Sequence, residues 1–161
     1  MRTRTAWLVL FLLAVLFSCR TQEKAGEAPA HPSSTRDLSS DERQGGHTLQ
    51  RHIGRTDAQL RERLQHERNI TAASSYTDRD AAERAIGMAI QENRQKIEHW
   101  FDRGERRPNL VLDYSDPGNP LGRVMYRGAM GSVPCDHAIV VLRSNGLHDY
   151  YVLTSYPECR P

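Results

Sequence analysis

The strongest constraint on the fold is a change of sequence character near residue 104 of the 161. Before it, apolar residues recur at helical spacing. Leu60 and Leu64 form one such pair. Ala82, Ala85, Ile86, Ala89 and Ile90 form a longer stripe, followed by Ile97, Trp100 and Phe101. After the Gly- and Arg-rich stretch 104–108 the pattern shifts. Residues 109–114 (NLVLDY), 123–127, 137–143 (HAIVVLR) and 149–156 (DYYVLTSY) are strand-like and bounded by Gly, Pro, Asn and Asp. Helices followed by strands predict an α+β domain rather than a parallel α/β one. Asn145-Gly146 predicts a hairpin between the last two strands.

Local punctuation refines this. Thr56 is placed to cap a helix, with Asp57 in its first turn, and Thr77-Asp78 is placed to cap a second. Asn93 and Arg94 mark a break between helices. Gly45-Gly46 reads as a flexible entry to the domain. Residues 69–76, rich in Ser, Thr and Ala, read as irregular.

The N-terminus carries a targeting pattern. Arg2 and Arg4 precede about a dozen apolar residues, too few for a membrane span of roughly 20. The run ends in Leu16-Phe17-Ser18-Cys19, which resembles a bacterial lipobox. Residues 1–18 are expected to be a lipoprotein signal peptide, with Cys19 lipidated. Residues 19–44 are polar, hold His31, and predict a flexible tether. Residues 45–161 form the expected folded head. The head is thus expected in the cell envelope, lipid-anchored at the outer membrane or surface, or secreted.

Of three cysteines, Cys135 and Cys159 remain after Cys19. In an oxidising compartment they predict a disulfide closing a loop of about 25 residues, worth roughly 3 kcal/mol. The competing arrangement, a metal pair with His137, lacks a CxxC or a third close ligand. The net charge is +2, and setting aside Arg2 and Arg4 leaves 20 basic residues against 20 acidic. That balance gives no support to non-specific wrapping of nucleic acid by a broad basic surface. A nucleic-acid contact must come from a local site.

One stretch concentrates suitable chemistry. Residues 45–64 (GGHTLQRHIGRTDAQLRERL) hold His47 and His52 and then a helix bearing Arg61 and Arg63. Imidazole moves protons near neutral pH, and guanidinium binds phosphate through a planar fork. Arg63, beside Leu64, is able to reach around the edge of the buried stripe, whereas Arg61 reads as solvated. His66 and His99 read as packing or surface histidines. On the last strand a period of two puts Tyr150, Val152, Thr154 and Tyr156 on one face. Thr154 and Tyr156 therefore present two hydroxyls together, although both are ordinary strand residues.

The opening motif, the SSYTDRDAAERAI helix start, the NLVLDYSD strand and the closing YVLTSYP resemble the bacterial ribonuclease A-like toxin domain at the C-termini of contact-dependent inhibition proteins. The likeness spans about residues 45–161. It implies a ribonuclease A-like α+β fold, with N-terminal helices packed on a twisted antiparallel sheet, and metal-independent cleavage of RNA with no cofactor. It implies a catalytic set of His52, Arg63, Thr154 and Tyr156, with His47 a second histidine. At a helical offset of five, His47 would turn about 140° away from His52. The partners implied are an RNA substrate, a cognate immunity protein and, through Cys19, a membrane; the head is expected to be monomeric. Two rivals remain: a catalytically silent binding module of the same fold, and a structural envelope lipoprotein.

Overall fold

The computed structural model describes residues 35–104, 106–146 and 148–160. The expected signal peptide, Cys19 and most of the tether lie outside these residues. Eleven elements follow in order among the described residues. They are α1 (Leu38–Arg43), α2 (Thr48–His52), α3 (Asp57–His66), β1 (Ala72–Tyr76), α4 (Arg79–Glu92) and α5 (Arg94–Phe101). Then come β2 (Leu110–Ser115), β3 (Gly122–Tyr126), β4 (Val133–Cys135), β5 (His137–Ser144) and β6 (Tyr150–Glu158).

The fold class is α+β, and every strand pairing is antiparallel. The strands form two three-stranded sheets, ordered β1-β3-β4 and β2-β5-β6. The helix signals act as their residue types predict. Thr56 and Gln59 close a reciprocal capping box at α3. The Asp78 carboxylate accepts from the Ala81 amide at 2.7 Å and starts α4. Asn93 separates α4 from α5.

Two corrections concern segments expected to lack structure. Residues 69–76 are not irregular throughout: Ala72–Tyr76 is β1, paired with β3 from Ala72↔Tyr126 to Tyr76↔Gly122. Small residues suit this strand because the backbones come close. A Cβ on Gly122 would collide with the Ser75 carbonyl and with Pro157 of β6. Nor does the tether reach residue 44. Leu38 is fully buried, and the Arg36 guanidinium holds the buried Asp41 through Nε at 2.9 Å and Nη2 at 2.6 Å. The Leu38 amide donates to Glu83 at 3.1 Å, tying α1 to α4. The buried Leu38 side chain and the part-buried Arg36–Asp41 pair anchor this short segment to the folded body.

Gly45 and Gly46 are likewise fixed rather than flexible. Gly45 has φ of +106°, and a Cβ on Gly46 would sit 2.5 Å from the Val152 carbonyl oxygen.

The main core joins Leu38, Tyr76, Ala82, Ile86, Trp100, Leu112, Val140, Leu142 and Val152. A smaller core packs Leu60 and Leu64 of α3 on Ala73 and Met125 of the first sheet. Cys135 on β4 and Cys159 beyond β6 form a disulfide, with Cα atoms 5.0 Å apart, which links the two sheets covalently.

Leu38→Ala should lower unfolding free energy by about 2–5 kcal/mol, read as a shifted urea midpoint. A shift under about 0.5 kcal/mol would return this segment to the tether. Reducing the Cys135–Cys159 disulfide should cost about 3 kcal/mol in the same assay, and an unchanged midpoint would show that the link carries no stability.

Candidate active site

The site is built where α2 docks on the outer edge of β6. Among the described residues that edge has no strand partner, and polar groups along it are satisfied by the preceding segment. The Asp41 carboxylate accepts from the Val152 amide at 2.9 Å. The His47 amide donates to the Leu153 carbonyl at 3.0 Å, and the Ser155 amide donates to Thr48 Oγ1 at 2.9 Å. Tyr76 of β1 donates through its hydroxyl to Ser155 Oγ at 2.6 Å, which in turn donates to the Ile139 carbonyl at 2.8 Å. The His47 and Thr48 bonds seat the start of α2 on β6, and the Tyr76–Ser155 bond ties β1 to the same strand.

The β6 register corrects the expected face. Val141 pairs with Thr154, but Leu142 pairs with Val152, so Leu153 is an extra, unpaired residue. Alternation reverses across this bulge. Tyr150 and Val152 face the main core, opposite Leu142 and its neighbours. Thr154 and Tyr156 share the other face with Val141 and Ile139. The two hydroxyl residues are therefore together as expected, and Tyr150 and Val152 are not with them.

His52 ends α2 and is 7% exposed. Its ring lies 5.5 Å from the Tyr156 ring, centroid to centroid, tilted by 35°. Its Nδ1 is 3.1 Å from the Ser74 carbonyl oxygen. A carbonyl only accepts, so Nδ1 carries the proton and Nε2 keeps its lone pair in the neutral ring. Burial first, and then the charges of Arg63, His47 and Arg51, lower the imidazole pKa to about 4, against the opposing effect of the bond to Ser74. The ring is neutral at physiological pH, as a proton acceptor must be.

His47 is the residue before α2, not part of it, with φ −147° and ψ 24°. The helical-offset argument therefore does not apply, and its charge reaches His52. Its own pKa is lowered, mainly by desolvation and then by Arg51. Desolvation raises the Tyr156 pKa, so its hydroxyl keeps its proton.

Arg63 is half-buried on α3 and its charge also reaches His52. Its Nε and Nη2 face Glu67, while Nη1 is buried without a hydrogen-bond partner. Thr154 Oγ1 is buried and unpartnered as well. Such orphans cost about 1–3 kcal/mol each and call for an explanation. A groove of about 360 Å³ approaches from the α2–α3 side, lined by Gln50, Arg51, Arg55, Gln59, Arg63 and Glu67. It reaches Arg63, but its walls do not include His52, Thr154 or Tyr156.

A family model, the bacterial CdiA-CT RNase A domain, matches residues 46–157. The chain belongs to this family. A solved CdiA-CT/CdiI complex from Y. kristensenii 33638 contains a chain 32% identical to this one. The alignment covers 70% of this CdiA-CT RNase A-type chain and 99% of the solved one, with a TM-score of 0.63. No curated protein matches. Membership makes this a ribonuclease-type toxin domain.

Within the CdiA-CT RNase A domain, Ser74, Arg51 and Glu67 were not expected at the site. Ser74 contributes a backbone carbonyl, which no residue type announces. Glu67 lies four residues after Arg63, a spacing that does signal a contact on a helix. Arg61, as expected, is exposed, and its guanidinium bonds the Met130 carbonyl at 3.0 Å. His66 Nδ1 lies 2.9 Å from the Glu62 carbonyl of its own helix. Among the described residues no group of three His, Cys, Asp or Glu is arranged to hold a metal ion.

Between pH 6.5 and 4 the unfolded chain binds a proton at His52 that the folded chain refuses. Stability should therefore fall as pH drops through that window, by up to about 3 kcal/mol, and this residue should add no slope above it. The His52 ring signal in NMR should titrate well below 6.5. A midpoint at or above 6.5 would contradict the buried, cation-flanked setting.

Proposed function

We propose that this chain is a metal-independent endoribonuclease that cleaves RNA by transphosphorylation. The substrate supplies its own nucleophile. His52 Nε2 takes the proton from the ribose 2′-hydroxyl, and the 2′-oxygen attacks phosphorus. The bond from phosphorus to the 5′-oxygen then breaks, and a proton passes to that oxygen. The products are a 2′,3′-cyclic phosphate and a 5′-hydroxyl.

Arg63 Nη1 stabilises the charge that builds on the phosphorane, and the Tyr156 hydroxyl donates to a phosphoryl oxygen. Thr154 Oγ1 contacts phosphate or base. The observation that carries the reading is the ring of His52: neutral, anchored through Nδ1 to Ser74, and set against Tyr156. The two orphaned polar atoms support it, because a bound phosphodiester would supply their missing partners. Substrate also resolves the low basicity of His52. A phosphodiester anion beside Arg63 offsets the cations that disfavour the imidazolium and raises the ring's proton affinity. His47, within electrostatic reach, is the second imidazole available for the proton that the leaving oxygen takes.

The biological setting belongs to the same proposal. The signal pattern and Cys19 favour export and a lipid anchor in the cell envelope, with the disulfide formed outside the cytoplasm. The solved relative is a complex with CdiI, and by that likeness a cognate immunity protein would restrain the enzyme.

Incubated with total RNA, the oxidised full chain should cleave it in the presence of EDTA. His52→Ala should abolish cleavage, and Arg63→Ala should slow it by about 10²–10³-fold. Cleavage by His52→Ala at the parent rate, or a loss under about threefold for Arg63→Ala, would remove these assignments. No cleavage by the parent would favour the silent binding module.

A further inference from the structure

We infer that Glu67 is a positioning residue for the reaction, holding the Arg63 guanidinium so that Nη1 alone faces the scissile phosphate. This rests on the ribonuclease reading of the same site and adds to it a residue that acts through another.

The contact is side-on. Arg63 Nε lies 3.2 Å from Glu67 Oε1, and Nη2 lies 3.4 Å from Oε2. Two of the three guanidinium nitrogens are therefore committed to one carboxylate, which fixes the plane of the group. The third, Nη1, is buried and has no partner. A planar fork held along one edge directs its free nitrogen in a single direction. A second guanidinium, Arg51, approaches the same carboxylate at 4.0 Å from α2.

Glu67 is itself anchored. Its amide donates to the Arg63 carbonyl at 2.8 Å, which ends α3. Its carbonyl accepts from Arg127 Nη2, beyond β3, at 2.9 Å and from the Ile70 amide at 3.3 Å. The carboxylate thus stands on backbone pinned from two sides.

A purely stabilising role fits poorly. Glu67 sits at the C-terminal end of α3, where the helix dipole disfavours an anion. The order Arg then Glu at four-residue spacing is the weaker one for a helical ion pair. Both side chains are partly exposed, at 21% and 35%, and such pairs contribute little to folding. The arrangement makes more sense as orientation, where a misplacement of about 1 Å costs up to about 10² in rate.

The test uses the oxidised full chain, RNA kinetics, and the Arg63 Nε–H signal in NMR with inorganic phosphate as probe. Glu67→Ala should lower kcat by about 10- to 100-fold with KM changed less than about threefold. Glu67→Gln, keeping one acceptor oxygen, should fall between. Arg63→Ala/Glu67→Ala should be no slower than Arg63→Ala, because Glu67 acts only through that side chain. The Arg63 Nε–H signal should be sharp in the parent and broadened in Glu67→Ala, and its response to phosphate should weaken. Additive losses in the double variant would overturn the inference. So would an unchanged kcat with an unchanged Arg63 signal. A faster Glu67→Ala with lower KM would show instead that Glu67 competes with phosphate. A parent without RNA cleavage would count against the ribonuclease reading, and the phosphate titration would still decide the role of Glu67.

Discussion

An edge strand must dispose of its outward amides and carbonyls, and here that requirement organises the molecule. The outer edge of β6 is satisfied by Asp41, His47 and Thr48. Meeting it draws residues 36–52 along the strand, buries Leu38 and Asp41, and ends α2 with His52 between β1 and β6. Gly46 permits the close passage, since a Cβ there would strike two carbonyls. The capping of an edge and the placement of an imidazole are the same set of bonds.

The bulge at Leu153 completes the geometry. Without it, Thr154 and Tyr156 would share a face with Val152 and point into the main core. With it, Val152 stays in the core while the two hydroxyl residues turn toward the His52 side. Bulges recur beside active sites because one extra residue re-aims the side chains that follow. The disulfide then ties Cys159, three residues beyond Tyr156, to β4 of the other sheet. The end of β6 is thus held by β5 along its length and by a covalent bond just past it.

Much of this was legible in residue types. The stripe Ala82, Ala85, Ile86 and Ala89 marks α4, Thr56 marks the start of α3, and Asn145-Gly146 marks the turn between β5 and β6. These are local signals, and each element obeys its own. The misses are tertiary. β1 is Ala-Ala-Ser-Ser-Tyr, poor in strand-favouring residues, and it is a strand because β3 pairs with it and because its carbonyl holds His52. α1 rests on a single leucine and an ion pair within a polar stretch. The bulge answers to a docking partner more than 100 residues away in sequence. At the site, the family likeness points to His52, Arg63, Thr154 and Tyr156. It does not point to Ser74, because a backbone carbonyl has no letter of its own.

If His52 activates a 2′-hydroxyl beside a phosphate bound by Arg63, the ends of the cut RNA record it. The most direct measurement is mass spectrometry of the ends formed from an RNA oligonucleotide, alongside a copy with a single 2′-deoxy sugar at the preferred cleavage position. Attack by the 2′-oxygen should leave 2′,3′-cyclic phosphate and 5′-hydroxyl ends, with no cut at the deoxy linkage. Ends bearing 3′-hydroxyl and 5′-phosphate, or cleavage at the deoxy linkage, would contradict it.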